Sequence, residues 1–228
     1  MKLFLAITYH IFVLETLCSL LKGFLRIALP ASWLLHLDAK TGIPVTWHQQ
    51  YPDSPEEYGD YFAWGETEPK GYYAWSTYKW CNGSNGSMTK YCTDGSYGYN
   101  GFTDGKTELD PEDDAAYVNW GPQWRMPTDD QLTELRNNCT WTWTTQNGVN
   151  GRLVTGPNGN SIFLPAAGYR WYENLRNAGS WGHYWSRTLR PAYSYYYAYN
   201  LYCDSGYVCW NGAYGCDFGF SVRAVRVP

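Results

Sequence analysis

Residues 184–223 read YWSRTLRPAYSYYYAYNLYCDSGYVCWNGAYGCDFGFSVR. Two patterns overlap in this stretch. A strand-like skeleton recurs at Tyr199-Asn200-Leu201, Val208, Trp210, Phe220 and Val222, and continues to Val225. Around it sit residues that look interchangeable: Tyr202, Cys203, Asp204, Tyr207, Cys209, Asn211, Gly212, Ala213, Tyr214, Gly215, Cys216 and Asp217. Large, small, polar and apolar side chains stand side by side most readily where they face solvent on a fixed scaffold. From Arg187 to Phe218 there is no Lys, Glu, Gln or Met. Every residue there except Trp210 can be reached from an asparagine codon by changing only its two adenines. A Tyr/Gly-rich β-region of ordinary origin is the alternative reading.

Composition sets the outer bounds. At 228 residues one domain with a sizeable core is expected. A net charge of -4 argues against nucleic acid as a partner, which would need a basic face. The 22 Tyr, 13 Trp and 23 Gly indicate many short strands and turns. They also leave Tyr to spare for a contact surface, where it offers area at low rotamer cost and a hydrogen-bonding tip. Seven cysteines is an odd count, so one thiol at least stays unpaired within the chain. Cys81 and Cys92 bracket a turn-rich segment and form a disulfide on one reading, which requires export, and stay free on the other. Cys203, Cys209 and Cys216 lack the CxxC spacing of a metal site and are read as incidental.

Residues 1–37 carry two apolar runs, Leu3–Leu14 and Ile27–Leu37, interrupted by His10, Glu15, Lys22 and Arg26. Three readings stand: an export signal or membrane anchor, a helical extension, and sequence foreign to the domain. Glu56, Glu57, Asp60, Glu66 and Glu68 are acidic but match no calcium-loop spacing, so solvated charge is expected. Residues 81–109 are rich in Gly, Asn, Ser and Asp and are expected to form an extended loop. Asp110, followed by Pro111, Glu112, Asp113 and Asp114, predicts a helix capped at Asp110 and ending near Val118 or Asn119. Thr128 with Gln131 predicts a second, opened by a capping box, with Leu132, Leu135 and Cys139 on one face. Trp120, Trp124 and Met126 are expected to pin the helices to the sheet. Strands are expected at 141–143, at 151–155 and 161–164 around the turn Gly156–Asn160, and near 183–187, 197–203, 207–211 and 219–226.

Six separated motifs carry a resemblance: EYGDYFAWGET (57–67), LDPEDDAAYVNWGPQWRMPT (109–128), NGNSIFLPAAGYR (158–170), YWS (184–186), AYNLY (198–202) and GFSVR (219–223). Together they resemble the Fibrobacter succinogenes "major paralogous domain" family of gut bacteria. That family looks like a branch of the C-type-lectin fold shared with formylglycine-generating enzymes. Its C-terminal segment is similar to the variable region of proteins targeted by diversity-generating retroelements. The resemblance covers about Ser54 to Val227. Leu37–Trp47 stands where the family has its first strand and matches it poorly, which leaves residues 1–53 as altered or foreign.

The resemblance implies an α+β, C-type-lectin-like domain over residues 40–228, preceded by a hydrophobic segment at 1–39. It also implies a display protein whose adenine-coded positions vary while Trp185, Leu201, Val208, Trp210 and Phe220 stay fixed. By position, Tyr202, Asp204, Tyr207, Asn211, Tyr214 and Asp217 fall on the variable face, with Cys209, Ala213 and Cys216 among them. Tyr193, Tyr195, Tyr196 and Tyr197 widen it. The expected partner is a protein or glycan outside the cell or on a phage particle, with anchoring through residues 1–37. No catalytic group, metal or cofactor is expected.

Two rival functions remain. A formylglycine-generating enzyme needs a reactive thiol pair, for which Cys209 and Cys216 are candidates only because they are cysteines. A calcium-dependent lectin needs more oxygen ligands than Trp210-Asn211-Gly212 supplies. His183, beside Tyr184 and Trp185, reads as a strand residue before a general base.

Overall fold

In the computed structural model the described residues are 35–37, 44–47, 56–191 and 196–226. For 35–37, 44–47, 210 and 211 the description covers the backbone only. All belong to the compact unit Trp33–Pro228. The elements run in order β1 (Leu35–Leu37), β2 (Pro44–Trp47), α1 (Ala115–Trp120), β3 (Trp124–Arg125), α2 (Asp129–Asn138), β4 (Thr140–Gln146) and β5 (Val149–Thr155). They continue with β6 (Ser161–Pro165), β7 (Tyr169–Trp171), β8 (Asn174–Arg176), β9 (Gly182–Leu189), β10 (Tyr197–Cys203), β11 (Val208–Gly215) and β12 (Val225–Arg226). The class is α+β, with two helices among the described residues and four antiparallel sheets: β1-β2-β12-β3, β11-β10-β9, β4-β5-β6 and β7-β8. Strand pairing reaches back to Leu35, ahead of the expected boundary at residue 40, because Trp47 and Thr46 pair with Val225 and Arg226. The apolar run through residue 34, with its three readings, lies outside the described residues.

The first helix starts later than its acidic run suggests. Pro111–Asp113 form a separate 3-10 turn, and Asp114 caps α1 by accepting from the Ala116 and Tyr117 N–H groups. Asp110 makes no side-chain cap. It is drawn off by Lys90 and Lys106, at 2.7 and 2.5 Å. The capping box of α2 forms as expected: Gln131 N–H donates to Thr128 Oγ1 at 3.1 Å, and Thr128 N–H to Gln131 Oε1 at 3.0 Å. Leu132 and Leu135 then pack with Val154, Ile162, Leu164, Tyr184, Leu201 and Val225. Trp124 and Met126 are buried after α1, with Trp124 pairing Arg226 in the first sheet.

The larger core gathers Trp64, Tyr73, Met88, Tyr91, Met126, Trp185 and Phe220, all fully buried. Each such side chain contributes about 1.5–3 kcal/mol by leaving water. The Gly/Asn-rich segment 81–109 is a loop, as expected, with turns, isolated bridges and one 3-10 turn, and it is packed against the core. It drives Met88, Tyr91 and Cys92 into this core, and Asp104 accepts from the Tyr91 and Cys92 N–H groups at 2.8 and 3.0 Å. Cys81 and Cys92 are both free. Their thiols donate to the carbonyls of Trp75 and Asp94, each at 3.1 Å. Glu66 is buried instead of solvated, because it accepts from Lys70 Nζ and Lys79 N–H at 2.8 Å each.

The last expected strand is broken. Gly219, Phe220 and Ser221 bridge in turn to Arg170, Phe62 and Tyr184, and only Val225–Arg226 enters a ladder. The segment threads between sheets and changes partner at each residue.

Candidate ligand-binding face

The face is built on β9–β10–β11. Along β10, Tyr197 and Tyr199 are half-buried while Ala198 and Asn200 point inward. Leu201 is buried as well, so the period of two slips by one residue. The register shifts between Asn200 and Tyr202, the mark of a β-bulge. The slip sets Tyr202 opposite both His183 and Cys209.

Aromatic rings spread outward from there. Tyr202 meets Trp181 at 5.6 Å and His183 at 5.0 Å between ring centroids. Tyr214 meets His183 at 5.1 Å and Phe218 at 5.4 Å. Trp181 stacks near Tyr169 at 6.3 Å, and Phe218 lies parallel to Trp171 at 6.0 Å. Offset-stacked and edge-on pairs of this kind add about 0.5–1.5 kcal/mol each beyond area burial, which stiffens the surface.

His183 lies beneath the tract, fully buried. Burial pushes its pKa down to about 4, against a weak contact from Nδ1 to Asn200 Oδ1 at 3.4 Å, so it is neutral at pH 7. Asp204 orders the turn between β10 and β11. Its Oδ1 accepts from the Gly206 and Tyr207 N–H groups at 2.7 and 2.8 Å, and its Oδ2 from the Tyr202 hydroxyl at 2.6 Å. Burial works to raise the pKa of this carboxyl. The Tyr202 hydroxyl, the two N–H groups and nearby Arg152 outweigh it, and the pKa is lowered. Tyr207 at the tip is 56% exposed.

The twelve sequence-derived positions therefore divide. Tyr197, Tyr202, Asp204, Cys209, Ala213 and Tyr214 are half-buried at the surface, and Tyr207 is exposed. Tyr193, Tyr195 and the Asn211 side chain lie outside the described residues. Cys216 and Asp217 are not on the face: they are 0% and 2% exposed. The chain turns into the core after Gly215, where Cys216 N–H donates to the Tyr196 carbonyl and Trp64 N–H to the Cys216 carbonyl. Burial holds Cys216 as the thiol, well above its ordinary pKa, and pushes the Asp217 carboxyl up to about 6. Cys203, also placed among the interchangeable residues, is buried too, its thiol pushed up to about 12.

Sequence reasoning missed Tyr169, Trp171, Trp181 and Phe218. Tyr169–Trp171 and Asn174–Arg176 form a hairpin through Tyr172, which has φ +52°. The signal was the spacing of aromatics at 169, 171 and 172, then 181. Among the described residues no three His, Cys, Asp or Glu side chains gather as a metal site, and no helix is long and apolar enough to cross a membrane. No family model, curated protein or solved structure matches the chain.

Proposed function

We propose that this chain is a ligand-binding display protein of C-type-lectin-like fold whose Tyr-rich C-terminal surface is diversified through a retroelement. One observation carries the reading. In the adenine-reachable stretch, Tyr197, Tyr202, Tyr207, Cys209, Ala213 and Tyr214 reach the surface; of the positions expected to stay fixed, Trp185, Leu201 and Phe220 are buried, Val208 is half-buried, and the Trp210 side chain lies outside the described residues. Such a surface binds by contact area and by hydrogen bonds from phenol tips, on a scaffold stiff enough to keep the ordering cost low. Its place is outside the cell or on a phage particle, and its ligand is a protein or glycan. A thiol-dependent enzyme fits less well, because burial leaves Cys216 a weak nucleophile.

The test is to sequence the locus across many members of one population. Substitutions confined to adenines of asparagine codons within 187–218, with Trp185, Leu201, Trp210 and Phe220 fixed, are expected. Sparse variation spread evenly along the gene would overturn the proposal.

A further inference from the structure

Beside the aromatic tract an open cleft of about 480 Å³ lies between three parts of the chain. Trp143 of β4 and Asn150 of β5 form one wall, Ser180 and Trp181 before β9 another, and Asp204 and Ser205 of the β10–β11 turn the third. The volume falls in the range of about 300–1,000 Å³ typical of small-molecule sites. Two half-buried indoles share the lining with a carboxylate, an amide and two hydroxyls.

The polar groups are held in place before any ligand arrives. Asn150 Nδ2 donates to the Gly179 carbonyl at 3.0 Å, and its Oδ1 accepts from Thr145 Oγ1 at 2.8 Å. The Asp204 carboxylate is fixed by Tyr202 and by two backbone N–H groups. Behind them Arg152, itself buried, donates from Nε to the Asp204 carbonyl at 2.9 Å and sits over the Trp143 ring at 5.6 Å. Asp204 Oδ2 and Asn150 Oδ1 each accept one hydrogen bond and keep a second lone pair to offer.

This chemistry selects among ligands. Anions are repelled by Asp204, whose pKa is lowered. Cations find the Trp143 π-system already engaged by Arg152. A neutral, hydroxyl-rich ring suits the lining best. Its C–H face carries slight positive charge and packs on an indole face, while its hydroxyls both donate and accept. We infer that the cleft binds a neutral pyranose unit of a glycan, without calcium. Most of the lining lies outside the stretch read as diversified: Trp143, Asn150, Gly179, Ser180 and Trp181 fall outside residues 187–218, and Asp204, Ser205 and Gly206 fall within it.

The test is tryptophan-fluorescence titration of the full chain with glucose, galactose, mannose and N-acetylglucosamine, repeated in excess chelator. At least one sugar is expected to bind equally well with and without chelator. Trp143→Ala is expected to weaken binding about tenfold or more, through loss of the stacking face. Ser180→Arg, at an exposed position, is expected to abolish binding by filling the cleft while leaving the melting temperature near that of the parent. Glu173→Gln, exposed and outside both the cleft and the face, is expected to leave sugar affinity unchanged. Absence of binding for all four sugars, loss of binding in chelator, or binding that survives Ser180→Arg would each overturn the inference. These outcomes leave the population-sequencing test untouched.

Discussion

Trp64 and Trp185 exchange indole hydrogen bonds across the core. Trp64 Nε1 donates to the Ser186 carbonyl, and Trp185 Nε1 to the Phe62 carbonyl, both at 2.8 Å. Each residue thus bonds the segment that carries the other, joining positions more than a hundred residues apart. Trp185→Phe removes one of these buried bonds and shrinks a packed ring. A loss of about 2 kcal/mol in unfolding free energy is expected, read as a lower urea midpoint with the m-value unchanged.

Asp114 serves four partners from a fully buried position. Beyond its two cap contacts it accepts from Met126 N–H at 3.0 Å and from Arg125 Nε at 2.8 Å. Asp114→Ala leaves a guanidinium and three backbone donors without their acceptor. The expected cost is about 3–5 kcal/mol, read by thermal and chemical denaturation. Asp110→Ala, at the position that the sequence pattern favours as the cap, is expected to cost less than about 1 kcal/mol.

Tyr207 and Tyr214 separate by burial, although the sequence places both on the face. Tyr207→Ser is expected to change stability by less than about 0.5 kcal/mol. Tyr214 packs against His183, Phe218 and Phe220, so Tyr214→Ser is expected to lose about 1–2 kcal/mol by calorimetry. If Tyr207→Ser instead unfolded the domain, the β10–β11 turn would be structural and the display reading would fail.

Two buried groups give opposite pH slopes. His183 titrates near 4 when folded against 6.5 ordinarily. Its contribution is complete above pH 6.5 and is lost as pH falls toward 4, at about 1.4 kcal/mol per unit. Asp217 titrates near 6 when folded against 3.8 ordinarily, so stability is lost as pH rises through that window. Asp217→Asn is expected to raise the melting temperature above pH 6 and to leave it nearly unchanged below pH 4. His183→Gln is expected to flatten the acid limb between pH 6.5 and 4. Melting curves from pH 3.5 to pH 8 check both.

Local signals were legible where chemistry is short-range. The Thr128–Gln131 capping box, the Gly156–Asn160 turn and the strands at 183–187 and 197–203 all follow from neighbours in sequence. What failed depends on distant partners. Asp114 displaces Asp110 as the cap because Arg125 and Met126 also reach it. Cys216 and Asp217 look like surface residues until Tyr196 and Trp64 draw the backbone inward. The bulge sits on β11, where Trp210 and Asn211 together stand opposite Leu201, and this pairing across strands shifts the face. One local signal was overlooked: Asn147-Gly148, both at positive φ, turn β4 into β5 as a two-residue hairpin.

The burial of Cys203, Cys216 and Asp217 inside the adenine-reachable stretch has an evolutionary consequence. If the stretch is rewritten wholesale, changes at these three sites are judged first by whether the chain folds, and only afterwards by what it binds. A repertoire sampled from living cells would then look narrow at 203, 216 and 217 and broad at 207, even under uniform mutation. Folding would act as the first sieve of the library, upstream of any ligand.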